Sequence, residues 1–405
     1  MLEFVGQALL YIVPFLLVLT TIVTIHELGH FWVARAFGVK VDRFAIGFGR
    51  ALFSRTDKHG IEWRVGWMPL GGYVKFSGDL DASSVPDEKG LGELRQRLIA
   101  ERGPGAERDI FHFKPIWQRA LIVAAGPFAN FVLAIAIFTL LFSLVGVELR
   151  PARVAEVPAG TPAAAAGFQP GDLITGVNGD AITDGRDVTR VVALSAGDPV
   201  RFTVERGGRT LELVATPERV TEQDPLAGRV TIGRVGLMLA PARGEVRHVR
   251  YNPVEAVGQG VRQTGDVLGT TLTYLGRIFT GRESGDQLSG PVGIAKASGA
   301  LTSAAVNANP DPLYTALNLL LTLASFAAIL SIGIGFLNLM PIPVLDGGHL
   351  VFYAYEAVAR RPVAAAVQEA SYRVGLALLA ALMLFATWND LQKLDLFRFL
   401  GGLAS

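Results

Sequence analysis

The chain of 405 residues contains no cysteine. Disulfides and thiolate metal sites are therefore excluded, and any metal must be held by His, Asp or Glu. Charge is also scarce. Only 18% of residues are Asp, Glu, Lys or Arg, and they balance to +1. No basic patch interleaved with aromatics is present, so a nucleic-acid partner is not expected. No cation precedes the first apolar run, where Glu3 stands instead. The basic start of a secretory signal peptide is thus missing, and a retained span is expected. No internal repeat is evident. Half of the residues are hydrophobic and the mean hydropathy is +0.39. That balance is too apolar for a soluble protein and too polar for a pure helical bundle. It predicts several spans and at least one soluble domain.

Four hydrophobic stretches carry the membrane reading: residues 1–37, 119–147, 313–340 and 371–389. The last is flanked by Tyr372 and Trp388, residue types that anchor at membrane interfaces. Arg35, Lys40 and Arg43 follow the first span, Lys114 and Arg119 precede or open the second, and Arg360 and Arg361 precede the fourth. The positive-inside rule places these flanks in the cytoplasm. Both termini and the long loop after the second span then face the other side. The expected fold is a polytopic α-helical membrane protein of about four transmembrane helices, with a membrane-associated β-hairpin and an inserted β-rich domain.

Between the spans, residues 38–118 form a cytoplasmic loop. In it Ile61–Trp67 alternates, Met-Pro-Leu-Gly-Gly turns and Tyr73–Phe76 continues, which predicts a hairpin over 61–76. Such a hairpin either lies on the surface or dips into the bilayer with its backbone paired. Residues 79–109 mix both charges and read as a solvated segment. Residues 148–217 alternate as a compact β-rich domain, with Gly207-Gly208 as a turn. Residues 218–312 read as a connector with an amphipathic helix or helix pair at a membrane surface, followed by a glycine-marked turn in SGPVGIAKASG. Residues 341–370 read as a loop and 390–405 as a C-terminal tail.

The chemistry concentrates in His26-Glu-Leu-Gly-His30. Two histidines four apart share one helical face, so both imidazoles can reach one metal, with Glu27 as general acid/base. Ionisable residues within a span are costly, which argues for function. Zinc needs a third protein ligand. Asp346 is the best candidate, on the same predicted side as His30, and His349 is its competitor. His59, His112 and His248 lie in soluble segments and read as surface or packing residues. A membrane adaptor with a dead site and a metal transporter are the rival classes. The intact set of His26, Glu27, His30 and Asp346 argues against the first, and the scarcity of polar residues in spans two and four argues against the second.

The stretch AAAAGFQPGDLITGVNGDAI resembles the core of bacterial PDZ domains, an unrelated small β domain being the alternative. HELGH in span one, this domain after span two and NLMPIPVLDGGH after span three together resemble the site-2 protease family of intramembrane zinc metalloproteases, bacterial RseP type. GPFAN in span two and LSGPVGIA before span three are similar to the same group. RseP itself carries two PDZ domains in tandem, whereas this sequence shows one. The resemblance implies one zinc held by His26, His30 and Asp346, with Glu27 as the catalytic acid/base. It implies substrate contacts at Asn338, Pro341 and Pro343, and at a β-loop matching 61–76, here Gly71, Gly72 and Tyr73. It implies the bacterial inner membrane, with the PDZ domain periplasmic and binding peptide or substrate. It implies cleavage of single-span regulators of the anti-sigma-factor kind in regulated intramembrane proteolysis, and of remnant signal peptides.

Overall fold

A computed structural model describes residues 2–78, 88–224, 228–283, 285 and 288–392. The chain divides into two compact units. One joins Met1–Ile137 with Gly290–Trp388; the other contains Phe138–Ser289 and the C-terminal residues.

The first unit opens on α1 (Leu2–Ala36), which carries HELGH. Two long strands follow, β1 (Val41–Thr56) and β2 (Glu62–Phe76). Their pairing corrects the expected hairpin. The two arms of 61–76 do not pair with each other, because Val41–Ile46 lies between them. Ile46 faces Gly72 and Val41 faces Phe76 on one side, while Arg43 faces Glu62 and Ile46 faces Val65 on the other. Thr56 opposite Glu62 and Phe53 opposite Val65 complete four runs. The run 72–76 is thereby an edge of the sheet. The sequence pattern reports only alternation within a run, so this non-local insertion escaped it. Phe31 of α1 packs with Phe44 and Trp63 at ring separations of 5.0–5.7 Å, and Val74 and Phe76 extend this cluster. That apolar face fixes the sheet against the helix bearing the histidines.

Part of the segment expected to be merely solvated is helical: α2 (Glu88–Arg102), followed by short 3₁₀ turns. Residues 79–87 lie outside the described residues. Then comes α3 (Ile116–Leu140), a continuous helix that contains Pro127.

The second unit contains β3 (Val147–Leu149), β4 (Ala152–Glu156), the short α4 (Pro162–Ala165), β5 (Leu173–Val177), β6 (Asp180–Ala181) and α5 (Gly185–Leu194). It continues through β7 (Val200–Arg206), β8 (Arg209–Ala215), β9 (Glu218–Asp224), β10 (Gly228–Arg234), β11 (Met238–Leu239) and β12 (Arg247–Val249) to α6 (Pro253–Phe279). The main sheet runs β11-β4-β5-β7-β8, with β6 beside β5. Gly207 and Gly208, both at positive φ, close the β7–β8 turn. Val154, Ile174, Val200, Phe202 and Val204 form its dry centre.

The expected boundary at 217 is corrected. β9 and β10 pair as a ribbon, and β11 then returns to β4. The ribbon's side chains are largely polar, so its sequence carries no clear apolar alternation. Asn252 and Glu255 form a capping box that starts α6 as one continuous helix.

The chain re-enters the first unit with α7 (Pro291–Asn307), α8 (Pro312–Leu339), α9 (Asp346–Ala359) and α10 (Ala365–Gln392). Two further expectations are corrected here. SGPVGIAKASG is not a turn but the start of α7, whose small residues allow close packing: a Cβ on Gly299 would strike the Tyr11 ring. The 341–370 segment is not a loop throughout, since α9 begins at Asp346 itself. Residues 393–405, most of the expected tail, lie outside the described residues. Among the described residues, four helices are long and apolar enough to cross a membrane: Leu9–Ala36, Ile116–Val145, Pro312–Leu339 and Ala365–Gln392.

Candidate metal centre

The helical spacing of His26 and His30 turns both rings toward α3. A side chain at Gly126 would overlap His30 Nε2 and reach 2.9 Å from His26 Cε1, and one at Gly29 would strike the Ala125 carbonyl. Two glycines thus open the room in which the imidazoles lie, one on each helix. In the sequence GPFAN carries no signal beyond its family likeness. Steric demand at Gly126 is what it encodes.

Asp346 arrives from the other end of the chain. The Leu339–Leu345 connection bends sharply, with Val344 at φ +92°, a strained value for a β-branched residue. Gly347 and Gly348 then pack so tightly beneath it that a Cβ would overlap the Leu339 and Ile342 carbonyls. The connection and the first turn of α9 therefore form one compact piece, and Asp346 projects from it.

The ligand atoms converge. His26 Nε2 lies 3.2 Å from His30 Nε2 and 3.2 Å from Asp346 Oδ2, and His30 Nε2 lies 3.6 Å from Asp346 Oδ2. Tetrahedral zinc with bonds near 2.1 Å requires neighbouring ligand atoms roughly 3.4 Å apart. Two nitrogens and one carboxylate oxygen at these separations fit that ion. Both imidazoles have a partner on the far nitrogen. His30 Nδ1 lies 2.9 Å from the Ile122 carbonyl, which can only accept, so Nδ1 carries the proton and Nε2 offers its lone pair. His26 Nδ1 faces the Asn130 amide at 3.3 Å.

Glu27 borders this set. Its carboxylate accepts the Val74 backbone N–H, and a Cβ on Gly72 would lie 3.3 Å from its Cγ. The sheet edge and the candidate base therefore meet. Along the edge, Gly72 and Val74 point to α1, whereas Tyr73 turns away, stacking on Phe48 and accepting from Arg43. Gly71 also sits against the Phe48 ring. The structure thus brings His26, Glu27, His30, Asp346 and Gly72 together; Gly71 and Tyr73 lie on the opposite face of the edge. Asn338 is in the last turn of α8, and Pro341 and Pro343 lie in the connection to Asp346. His349 is outside the ligand cluster, 3.4 Å from the Tyr372 hydroxyl, and its burial lowers its pKa from the ordinary histidine value.

A model of peptidase family M50 matches residues 14–382. The chain belongs to peptidase family M50. Metalloprotease MmpA of Caulobacter vibrioides is 48% identical over 395 residues, 98% of each chain. An Agrobacterium fabrum protein whose name describes a zinc metalloprotease is 44% identical over 95% of this chain and 96% of its own. A similarly named Rickettsia conorii protein is 33% identical over 95% and 99%. M50 membership makes this chain a zinc metalloprotease of the site-2 protease kind. Together with four apolar helices it makes it a multi-pass membrane protein.

Proposed function

We propose that this M50 protein cuts single-span regulatory membrane proteins of the anti-sigma-factor kind within the bacterial inner membrane, as part of regulated intramembrane proteolysis. Remnant signal peptides are a second substrate class of the same chemistry. The observation that carries the reading is the meeting of three elements at one point: the His26–His30–Asp346 cluster, the Glu27 carboxylate and the sheet edge at 72–76.

In this reading His26, His30 and Asp346 hold zinc. When bound, it supplies Lewis-acid polarisation of the scissile carbonyl and eases the deprotonation of water. Glu27 takes the proton from the attacking water and returns it to the leaving amine. A substrate helix hides its peptide bonds in internal hydrogen bonds and must unwind before it is cut. Freed N–H and C=O groups are costly in hydrocarbon. Pairing with the edge 72–76 compensates them and lays an extended strand beside Glu27. Leu52, Phe53 and Trp67 are more than half exposed on the same sheet, which suits a sheet dipped into lipid. Asn338, Pro341 and Pro343 hold the substrate from the side of Asp346.

The β-rich unit serves as a single PDZ domain on the periplasmic face, with both termini on that side, binding peptide or screening substrates. The helix α6 turns Val254, Val257, Val261, Leu272 and Phe279 outward, a stripe suited to a lipid interface. The test is Glu27→Gln. Cleavage of a reporter span should disappear while zinc stays bound at one per chain; retained cleavage refutes the assignment.

A further inference from the structure

Asn130 is fully buried on α3, and nothing in the proposed chemistry yet uses it. Its backbone carbonyl accepts the Ser331 hydroxyl of α8 at 2.9 Å, which ties α3 to α8 at this level. Its amide nitrogen faces His26 Nδ1 at 3.3 Å, and its amide oxygen is buried without a hydrogen-bond partner. As the side chains stand, the NH₂ group donates to Nδ1. His26 then carries its ring proton on Nε2, the nitrogen 3.2 Å from Asp346. That protonation is incompatible with zinc binding through Nε2, because a neutral imidazole has one lone pair and the metal needs it.

With Nε2 on zinc, the proton must sit on Nδ1, and an N–H facing an NH₂ is a clash of two donors. A half-turn of the amide about its last bond replaces the nitrogen by the oxygen in nearly the same space. The orphaned oxygen becomes an acceptor for the Nδ1 proton. His30 needs no such change, because the Ile122 carbonyl already fixes its proton. The two ligand histidines are thus held differently, one by fixed backbone and one by a side chain that can turn.

We propose that Asn130 is the positioning residue for His26: its amide oxygen accepts the Nδ1 proton whenever Nε2 holds zinc. This rests on the ligand assignment above. It explains why an amide, and not an apolar residue, occupies a dry position between two apolar helices.

The test is zinc affinity of the full-length detergent-solubilised protein, by competition with a chromophoric chelator, for wild type, Asn130→Leu, Asn130→Asp and His26→Ala. Asn130→Leu should bind zinc about 10–100-fold more weakly. Asn130→Asp, whose ionised carboxylate can only accept, should bind as tightly as wild type or more so. Wild-type affinity in Asn130→Leu, or equal losses in Leu and Asp, would overturn the proposal. His26→Ala separates the two readings: a large loss there with none in Asn130→Leu rejects the positioning role and keeps the ligand role. Nitrogen-15 shifts of the zinc-loaded wild type need no variant to fold. They should report the His26 Nδ1 proton engaged in a hydrogen bond; an Nδ1 proton without one rejects the positioning role, whereas a proton on Nε2 rejects the ligand assignment instead.

Discussion

Gly126 is one of several glycines near the candidate metal centre and one of the most demanding. Its hydrogen leaves the space that His30 Nε2 and His26 Cε1 occupy. Gly126→Ala adds one methyl group where the neighbours are two rings anchored at both ends, so they have nowhere to retreat. We expect zinc affinity to fall about tenfold or more, with cleavage falling in step and the secondary structure unchanged by circular dichroism. The comparison with Gly276→Ala is informative, because a Cβ there meets open space. In an exposed helix interior that change should be neutral or stabilise by up to about 1 kcal/mol.

At the scale of elements, the helix that presents Asp346 is held from its far side. Arg119 of α3 pairs with Glu356 of α9 at 2.7 Å and lies over the Tyr353 ring, 4.9 Å from its centre. Both charged groups are largely shielded, so removing one leaves the other poorly solvated. Arg119→Ala should lower stability by about 1–3 kcal/mol and weaken zinc binding by letting α9 shift; thermal unfolding with and without added zinc measures both.

How far the elements were legible follows from their physics. The four spans announce themselves by length and apolarity, and HELGH by helical spacing. Asp346 was reachable as a polar residue at the end of a span. The interleaving of Val41–Ile46 between the two arms of β2 was not, since strand pairing is non-local and leaves no period in the chain. The helix α7 was hidden by glycines that mark close packing rather than a turn. Gly126 and Asn130 stood in plain view in GPFAN, but their role exists only once His26 and His30 lie across them.

At the scale of the whole molecule, some of the depressed carboxylates that lie outside the spans belong to the β-rich unit. Burial alone would raise the Asp172 carboxyl, but Arg206 grips both of its oxygens at 2.6 and 2.7 Å and the Gln169 N–H donates to it, leaving it below its ordinary value. Arg153 and the Ala242 N–H hold Glu245 down to about 2. A depressed carboxylate contributes stability above its unfolded pKa and loses it as pH falls through the folded one. The unit should therefore hold its stability at neutral pH, lose the Glu245 contribution progressively from about 4.5 to about 2, and lose the Asp172 contribution as pH falls below the ordinary aspartate value. Asp172→Asn should destabilise it at pH 7 by about 1.5–3 kcal/mol and flatten that acid limb, as followed by thermal midpoints against pH.

The proposed zinc-binding set is split across the chain: the two histidines lie at positions 26 and 30 and Asp346 more than 300 residues later. At bacterial synthesis rates of 5–20 residues per second, that interval takes roughly 15–60 s on the ribosome. Throughout it the nascent chain holds two candidate ligands and the candidate base, but not the full set. In the proposed reading the centre can therefore close only after Asp346 has been made, and a chain cut short before it carries both histidines and Glu27 without the carboxylate that completes the set.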